Sequence, residues 1–155
     1  MKKKNGLIIA GIVIVILIGI GINIGSMTST TDKMTSNAQN MLMHIHPRLY
    51  LNVDGQPYFV PQNVGIDPNL WKDHSLDQYG MIGMAPLYTH TADGMIHVES
   101  TVIRNYTLGE FLDIWGLDLK EKSISVTADG EPISDYRNHV FKDEESIIMN
   151  ITSTH

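Results

Sequence analysis

The sequence predicts an α+β protein with an N-terminal transmembrane helix and a β-grasp-like domain, a mixed sheet with one packed helix. Three observations support this fold class. An uncharged apolar run opens the chain, alternating apolar and polar residues follow at 43–53 and 87–100, and one helical segment with a capping signal lies between predicted strands. We place a transmembrane anchor at residues 1–25, a flexible linker at 26–40 and an extracytoplasmic domain at 41–155.

The first 25 residues predict where the protein resides. Lys2, Lys3 and Lys4 precede a run from Leu7 to Gly25 that contains no charged residue. As a helix this run spans about 28 Å, close to the hydrocarbon thickness of a bilayer. The lysines favour a cytoplasmic N-terminus, so we expect a single-pass protein of the cell membrane with its domain outside the cytoplasm. The alternative is a cleaved signal peptide, whose apolar core is usually about 7–15 residues long.

The composition limits the function classes. The chain has no cysteine, so any metal must be bound by its seven histidines, its nine methionines or its carboxylates. The net charge is −6; without the three N-terminal lysines, eight basic residues face 17 acidic ones, which leaves −9 after residue 25. This charge argues against nucleic-acid binding, which needs positive charge facing phosphates. Residues 26–40 are rich in serine and threonine, which is typical of a flexible tether.

Residues 43–60 predict a hairpin. The apolar side chains of its first strand fall on one parity: Met43, Ile45, Leu49, Leu51 and Val53. Pro47 interrupts this strand, Asp54-Gly55 predicts a turn, and residues 58–60 can return as the second strand. Residues 61–86 contain several prolines and glycines and predict an irregular loop.

The second half predicts the order β-β-α-β-β. Residues 87–91 and 95–100 are expected to form a hairpin. Thr107 and Glu110 have the spacing of a capping box, and Gly116 can end the helix that they begin. Strands are predicted at 123–126 and 146–151, with a turn at 128–130.

Two histidines flank the predicted turn of the central hairpin. If Asp93-Gly94 forms a two-residue turn, His90 lies opposite His97 and Tyr88 lies opposite Glu99. Opposed side chains have Cβ atoms about 4.5–5.5 Å apart, so two imidazoles can converge on one metal ion. The other face of the hairpin is mostly apolar and is expected to cover the core.

His44 and His46 repeat this arrangement within one strand. At positions i and i+2 they lie on the same face, with Cα atoms about 6.5–7 Å apart. If that strand lies near the hairpin, four imidazoles and Glu99 can surround one centre. Such a set suits zinc or copper better than calcium or magnesium. Thioethers would favour copper, and five methionines are candidates: Met41, Met43, Met81, Met84 and Met95. The alternative is that these histidines form hydrogen bonds that only shape the fold.

The remaining histidines are isolated in the sequence. We interpret His74, His139 and His155 as surface residues.

Four segments resemble a known pattern: HIHPRLYLNVDG, GIDPNL, PLYTHTADGMIHVES and TLGEFLDIWG. Together they are similar to a largely uncharacterised family of small membrane-anchored, extracytoplasmic proteins of archaea and some bacteria. That family has H-x-H, then P-L-H-T-H-D-A-S-G-I-I-H-x-E-S, then T-L-G-x-F-F-x-I-W-G. The resemblance covers most of residues 44–150 and implies a shared site at His44, His46, His90, His97 and Glu99. Tyr88 replaces a histidine of the pattern, so the implied site has one imidazole fewer or a phenol in its place.

Three classes of function follow. The first is a membrane-tethered domain that binds copper or zinc, for metal capture, delivery or support of a membrane metalloenzyme. The second is an accessory or structural interaction subunit of a membrane complex, without a metal. The third is a metal-dependent hydrolase or oxygenase; since the sequence has no nucleophile motif, glycine-rich phosphate loop or H-E-x-x-H, we expect a protein that is not an enzyme.

Overall fold

The computed structural model describes residues 41–154, which form two sheets around a shared hydrophobic core. The strands are β1 (Met43–Ile45), β2 (Arg48–Val53), β3 (Gln56–Tyr58), β4 (Leu87–Tyr88), β5 (His97–Ser100), β6 (Lys122–Ala128), β7 (Glu131–Ile133) and β8 (Ser146–Ser153), and helix α1 is Leu108–Trp115. Short 3-10 turns lie at Pro68–Leu70, Asp77–Tyr79 and Tyr136–Asn138. The predicted anchor and linker lie outside the described residues. Within residues 41–154, no helix has the length and apolar character needed to cross a membrane.

The larger sheet has five strands in the order β3-β2-β8-β6-β7. The central strand β8 runs parallel to β2 and antiparallel to β6, and the outer pairs β2–β3 and β6–β7 are antiparallel hairpins. The period-2 pattern of the sequence is confirmed here, because Leu49 and Leu51 are buried whereas Tyr50 between them is 47% exposed. In β8, Ile147 and Met149 are buried on the same face. This mixed, mostly β architecture with one α-helix among the described residues agrees with the predicted α+β class.

Both hairpins of this sheet turn on Asp-Gly pairs. Asp54 and Gly55 have φ angles of 49° and 79°, and Asp129 and Gly130 have 49° and 86°. Positive φ at both positions is typical of the two-residue turns that match strand twist. The turns were predicted correctly, but the strands differ. The return strand of the first hairpin is Gln56–Tyr58 rather than 58–60, and β7 was not predicted.

Each edge strand of the five-stranded sheet carries a proline at its middle position. Pro57 pairs with Asn52 across β3 and β2, and Pro132 pairs with Thr127 across β7 and β6. After a two-residue turn the first pair is hydrogen-bonded, so the N–H and C=O groups of the second pair point away from the neighbouring strand. Both prolines occupy this second pair.

Helix α1 begins and ends as its sequence predicts. The Thr107 hydroxyl accepts a hydrogen bond from the Glu110 backbone N–H at 3.3 Å, and the Glu110 carboxylate accepts one from the Thr107 N–H at 2.9 Å. Gly116 ends the helix in the left-handed conformation, with a φ angle of 76°. The helix buries its apolar side chains in the core shared with both sheets: Leu108, Phe111, Leu112, Ile114 and Trp115.

The smaller sheet has three strands in the order β1-β5-β4. Its central strand, β5, pairs antiparallel with both neighbours. Leu87, Ile96 and Val98 are fully buried, which confirms that one face of this segment covers the core. The other face of the sheet carries the predicted site residues.

Candidate metal centre

The register of β4 and β5 differs from the prediction. Tyr88, rather than His90, lies opposite His97, and Leu87 lies opposite Val98. The shift is two residues, so the paired residues of β4 and β5 remain on their predicted faces, whereas a shift of one would have moved them to the other face. The histidines therefore still meet, with the rings of His90 and His97 5.0 Å apart.

The cause is that the Asp93-Gly94 pair packs on β2 instead of forming a two-residue turn. Of the two residues, Gly94 has a positive φ angle, 82°, and Asp93 does not. The Gly94 carbonyl accepts a hydrogen bond from the Leu49 N–H at 2.8 Å, and Met95 forms a bridge with Arg48. Residues 94–96 are thus paired with the start of β2. Thr89, on the other side, accepts a hydrogen bond from the Asn63 N–H at 2.9 Å and donates one to the Val64 carbonyl at 3.1 Å, so it bonds to these residues and not to residues 94–96.

Strand β1 joins this face from the other side. It pairs with β5 so that His44 lies opposite Glu99 and Ile45 lies opposite Val98. His46 follows directly after β1. The ring of His46 lies 4.4 Å from that of His44 and 4.9 Å from that of His97. The approach of the H-x-H segment to the hairpin, which the sequence left open, is therefore present in the fold.

Three histidines are close enough to bind one metal ion. Ligand nitrogens of His44, His46 and His97 all lie within 4.8 Å of one another. Nitrogens around a tetrahedral ion at bond lengths of about 2.0–2.1 Å are about 3.4 Å apart, so the rings must move together by about 1 Å when an ion enters. His44 is exposed and can make this movement at little cost. The ring of His97 is held between the rings of Tyr88, His90 and His46.

His90 and Glu99 border this group of three. His90 is exposed, and its ring lies 5.0 Å from the ring of Tyr88. The carboxylate Oε1 of Glu99 lies 3.1 Å from His44 Nε2 and 3.8 Å from His97 Nδ1. Glu99 can therefore orient these two imidazoles, a role that carboxylates often have around bound metals.

Tyr88 is buried beneath the histidines. Its side chain is 2% exposed, and its ring stacks on that of His97 at 5.1 Å with an angle of 9° between the planes. Burial raises the pKa of the Tyr88 phenol far above its usual range, and a hydrogen bond to Glu99 raises it further. The phenol therefore stays protonated and donates to Glu99. This contact supports the Glu99 carboxylate.

His97 is electrostatically suited to ligation. Burial lowers the pKa of His97, and the neighbouring His46 and His90 lower it further, while Glu99 acts in the opposite direction. The imidazole is consequently neutral at neutral pH, the form that metals require. Among residues 41–154, no group forms a hydrogen bond with the buried Nδ1 of His97. An unpaired buried nitrogen typically costs about 1–3 kcal/mol, so this site favours a bound partner.

Two aspartates support the site through the backbone, and the sequence analysis did not identify them. Asp143 accepts a hydrogen bond from the His46 N–H at 2.8 Å. Asp93 accepts hydrogen bonds from the Thr91 hydroxyl at 2.7 Å, the Met95 N–H at 3.1 Å and the Arg48 guanidinium at 3.1 Å. The Asp93-Gly94 pair predicted a two-residue turn. In the structure, the Asp93 carboxylate stabilises the loop that precedes β5.

Two of the histidines interpreted as surface residues can be assessed. His74 is exposed and lies 2.9 Å from Asp77, as expected for the surface. His139 is different, because its side chain is 14% exposed and its Nε2 lies 2.9 Å from the carboxylate of Glu145, which is 1% exposed. That interpretation of His139 was wrong: a buried carboxylate requires a partner, and this imidazole provides it. His155 lies outside the described residues.

A comparison of the chain with known protein families, with curated proteins and with solved structures finds no match.

Proposed function

We propose that this chain is a membrane-tethered, extracytoplasmic domain that binds one copper or zinc ion. His44, His46 and His97 are the proposed ligands, with His90 beside them and Glu99 and Tyr88 orienting the imidazoles. One observation carries the proposal: ligand nitrogens of three histidines from two non-adjacent segments lie within 4.8 Å of one another. Zinc and copper are the metals that imidazole sites favour.

The proposed domain type is β-grasp-like. The sheet order β3-β2-β8-β6-β7 supports this assignment, because β8 lies between the β2–β3 and β6–β7 hairpins, runs parallel to β2, and α1 lies between the hairpins in sequence. The proposed anchor at residues 7–25 would hold the domain at the outer face of the cell membrane. The role we propose is metal capture or delivery, or support of a membrane metalloenzyme; the motif resemblance suggests the location and the shared site.

The experiment is a calorimetric titration of the purified full chain with Zn²⁺ and with Cu²⁺. The test variant is His44→Ala and the control is His74→Ala. The two side chains are 49% and 59% exposed, and each has a carboxylate within 3.1 Å, at Glu99 and Asp77 respectively. The His44 and His74 side chains therefore differ mainly in position, because His44 belongs to the group of three histidines and His74 does not.

We expect one ion per chain, an affinity lowered about 10–100-fold in His44→Ala and an unchanged affinity in His74→Ala. Equal weak binding by all three proteins would refute the proposal. A membrane interaction subunit without a metal is then the second candidate. Large apolar side chains that are exposed favour it: Phe59, Ile82 and Ile103, at 75%, 84% and 78%.

A further inference from the structure

A cavity opens beside the histidine cluster. Its volume is about 390 Å³, and its lining residues are His46, Arg48, Met95, Asp143 and Glu144. His46 is the residue that belongs both to this lining and to the group of three histidines. The cavity is much larger than a water molecule, whose share of liquid volume is about 30 Å³. A hydrated metal ion can therefore enter it and reach His46.

The backbone fixes Met95 at this cavity. Met95 forms an antiparallel bridge with Arg48, and the next residue, Ile96, donates its N–H to the Pro47 carbonyl at 2.9 Å. The Asp93 carboxylate accepts a hydrogen bond from the Met95 N–H at 3.1 Å. The backbone of Met95 is thus held beside the corner between β1 and β2, where His46 also lies.

The ligand types at this cavity select a particular ion. A thioether is a soft ligand that favours Cu(I), whereas Zn²⁺ takes imidazole, thiolate or carboxylate. Five methionines were candidate soft ligands from the sequence, and Met95 is the one that lines this cavity. Asp143 and Glu144 add negative charge at its wall, which raises the local concentration of cations. The single Arg48 guanidinium of the lining is paired with Asp93 at 3.1 Å.

Resting on the proposed histidine site, we infer that this cavity is the entrance through which Cu(I) reaches the histidines, with the Met95 thioether and His46 as its first ligands. His46 then belongs to both positions and passes the ion to His44 and His97. The proposal assigns Cu(I) as the ion delivered to this site, since Zn²⁺ gains nothing from the thioether.

The test compares Met95→Leu with Met81→Leu in the full chain. Leucine conserves the side-chain volume, so each variant removes a sulfur and little else. Met81 is partly buried like Met95 but does not line the cavity. The rate at which Cu(I) moves from a chromophoric chelator to the chain is measured under anaerobic conditions by stopped-flow absorbance. Affinity for Zn²⁺ is measured by calorimetry, and thermal unfolding verifies that each variant is folded.

We expect Met95→Leu to slow the uptake of Cu(I) about 10–100-fold and to leave the affinity for Zn²⁺ unchanged. Met81→Leu should match the wild type for both ions. A wild-type rate of Cu(I) uptake in Met95→Leu would overturn the inference while leaving the histidine site intact. A loss of Zn²⁺ affinity in Met95→Leu would also overturn it, because it would indicate a packing role. Failure of the wild type to bind either ion would instead refute the proposed function and this inference with it.

Discussion

Gly94→Ala should cost more stability than the same substitution at another positive-φ glycine. A Cβ at position 94 would lie 2.4 Å from the Leu49 carbonyl oxygen and 3.3 Å from its carbonyl carbon. The left-handed conformation costs a non-glycine residue about 1–2 kcal/mol. Relieving the contact requires a shift of about 1 Å, which breaks the hydrogen bond from Leu49 N–H and adds about 1–3 kcal/mol. The expected total is about 2–5 kcal/mol of the free energy of unfolding.

Gly130→Ala provides the matched control. Gly130 has a φ angle of 86° and also follows an aspartate, but no atom lies within 4 Å of an added Cβ. Gly130→Ala should lower the free energy of unfolding only by the cost of the left-handed conformation, about 1–2 kcal/mol. Urea denaturation of the full chain, followed by circular dichroism, measures both variants. With an m-value of about 1–3 kcal/mol/M, the midpoint of Gly94→Ala should lie about 1 M below that of Gly130→Ala. Coincident midpoints would show that residue 94 does not pack on β2, and the explanation of the β4–β5 register would fall.

Three further variants and one titration test the site and its support. Zn²⁺ at about 100 times its dissociation constant should stabilise the fold by about 2.7 kcal/mol, a rise in Tm of about 10 °C by scanning calorimetry; no rise would contradict metal binding by the folded state. His139→Ala should cost about 1–3 kcal/mol in urea denaturation, because Glu145 then keeps only the Lys142 N–H at 2.7 Å. Tyr88→Phe should weaken Zn²⁺ binding in calorimetry by about tenfold without removing the ring that stacks on His97; unchanged affinity would exclude a supporting role for the hydroxyl. Hydrogen bonds from Thr91 and Met95, with Arg48, lower the pKa of Asp93, so its folded pKa lies below its unfolded pKa of about 3.9. The stability that wild type gains over Asp93→Asn should therefore be present above pH 4 and disappear as the pH falls below it, which acid titration of both proteins measures.

Local patterns predicted the strands and faces of this domain well. Alternation placed Leu49 and Leu51 inside, and the capping box placed the start of α1 at Thr107. These features depend on residues close in sequence. The face that carries Tyr88, His97 and Glu99 was also correct, because a two-residue shift in register leaves side-chain direction unchanged.

Prediction from the sequence failed where pairing between distant segments of the chain determines the structure. Asp54-Gly55, Asp93-Gly94 and Asp129-Gly130 look alike, yet the first and third close hairpins and the second packs on β2. What separates them is the start of β2, which lies more than 40 residues from Gly94 in the chain and whose Leu49 N–H donates a hydrogen bond to the Gly94 carbonyl. The same limit applies to Asp143, whose support of His46 spans 97 residues. No periodicity in the sequence signals a contact of that kind.

The prolines of the two outer strands affect how this domain behaves at high concentration. Pro57 and Pro132 each remove the backbone donor that would point outward from the middle of β3 and β7. An exposed edge strand with a complete row of donors and acceptors can template strands from other molecules, which leads to aggregation. Here both edges of the five-stranded sheet are interrupted at their centres. The five-stranded sheet therefore resists fibril-like growth at its edges, which favours a domain that stays separate when many copies are crowded together.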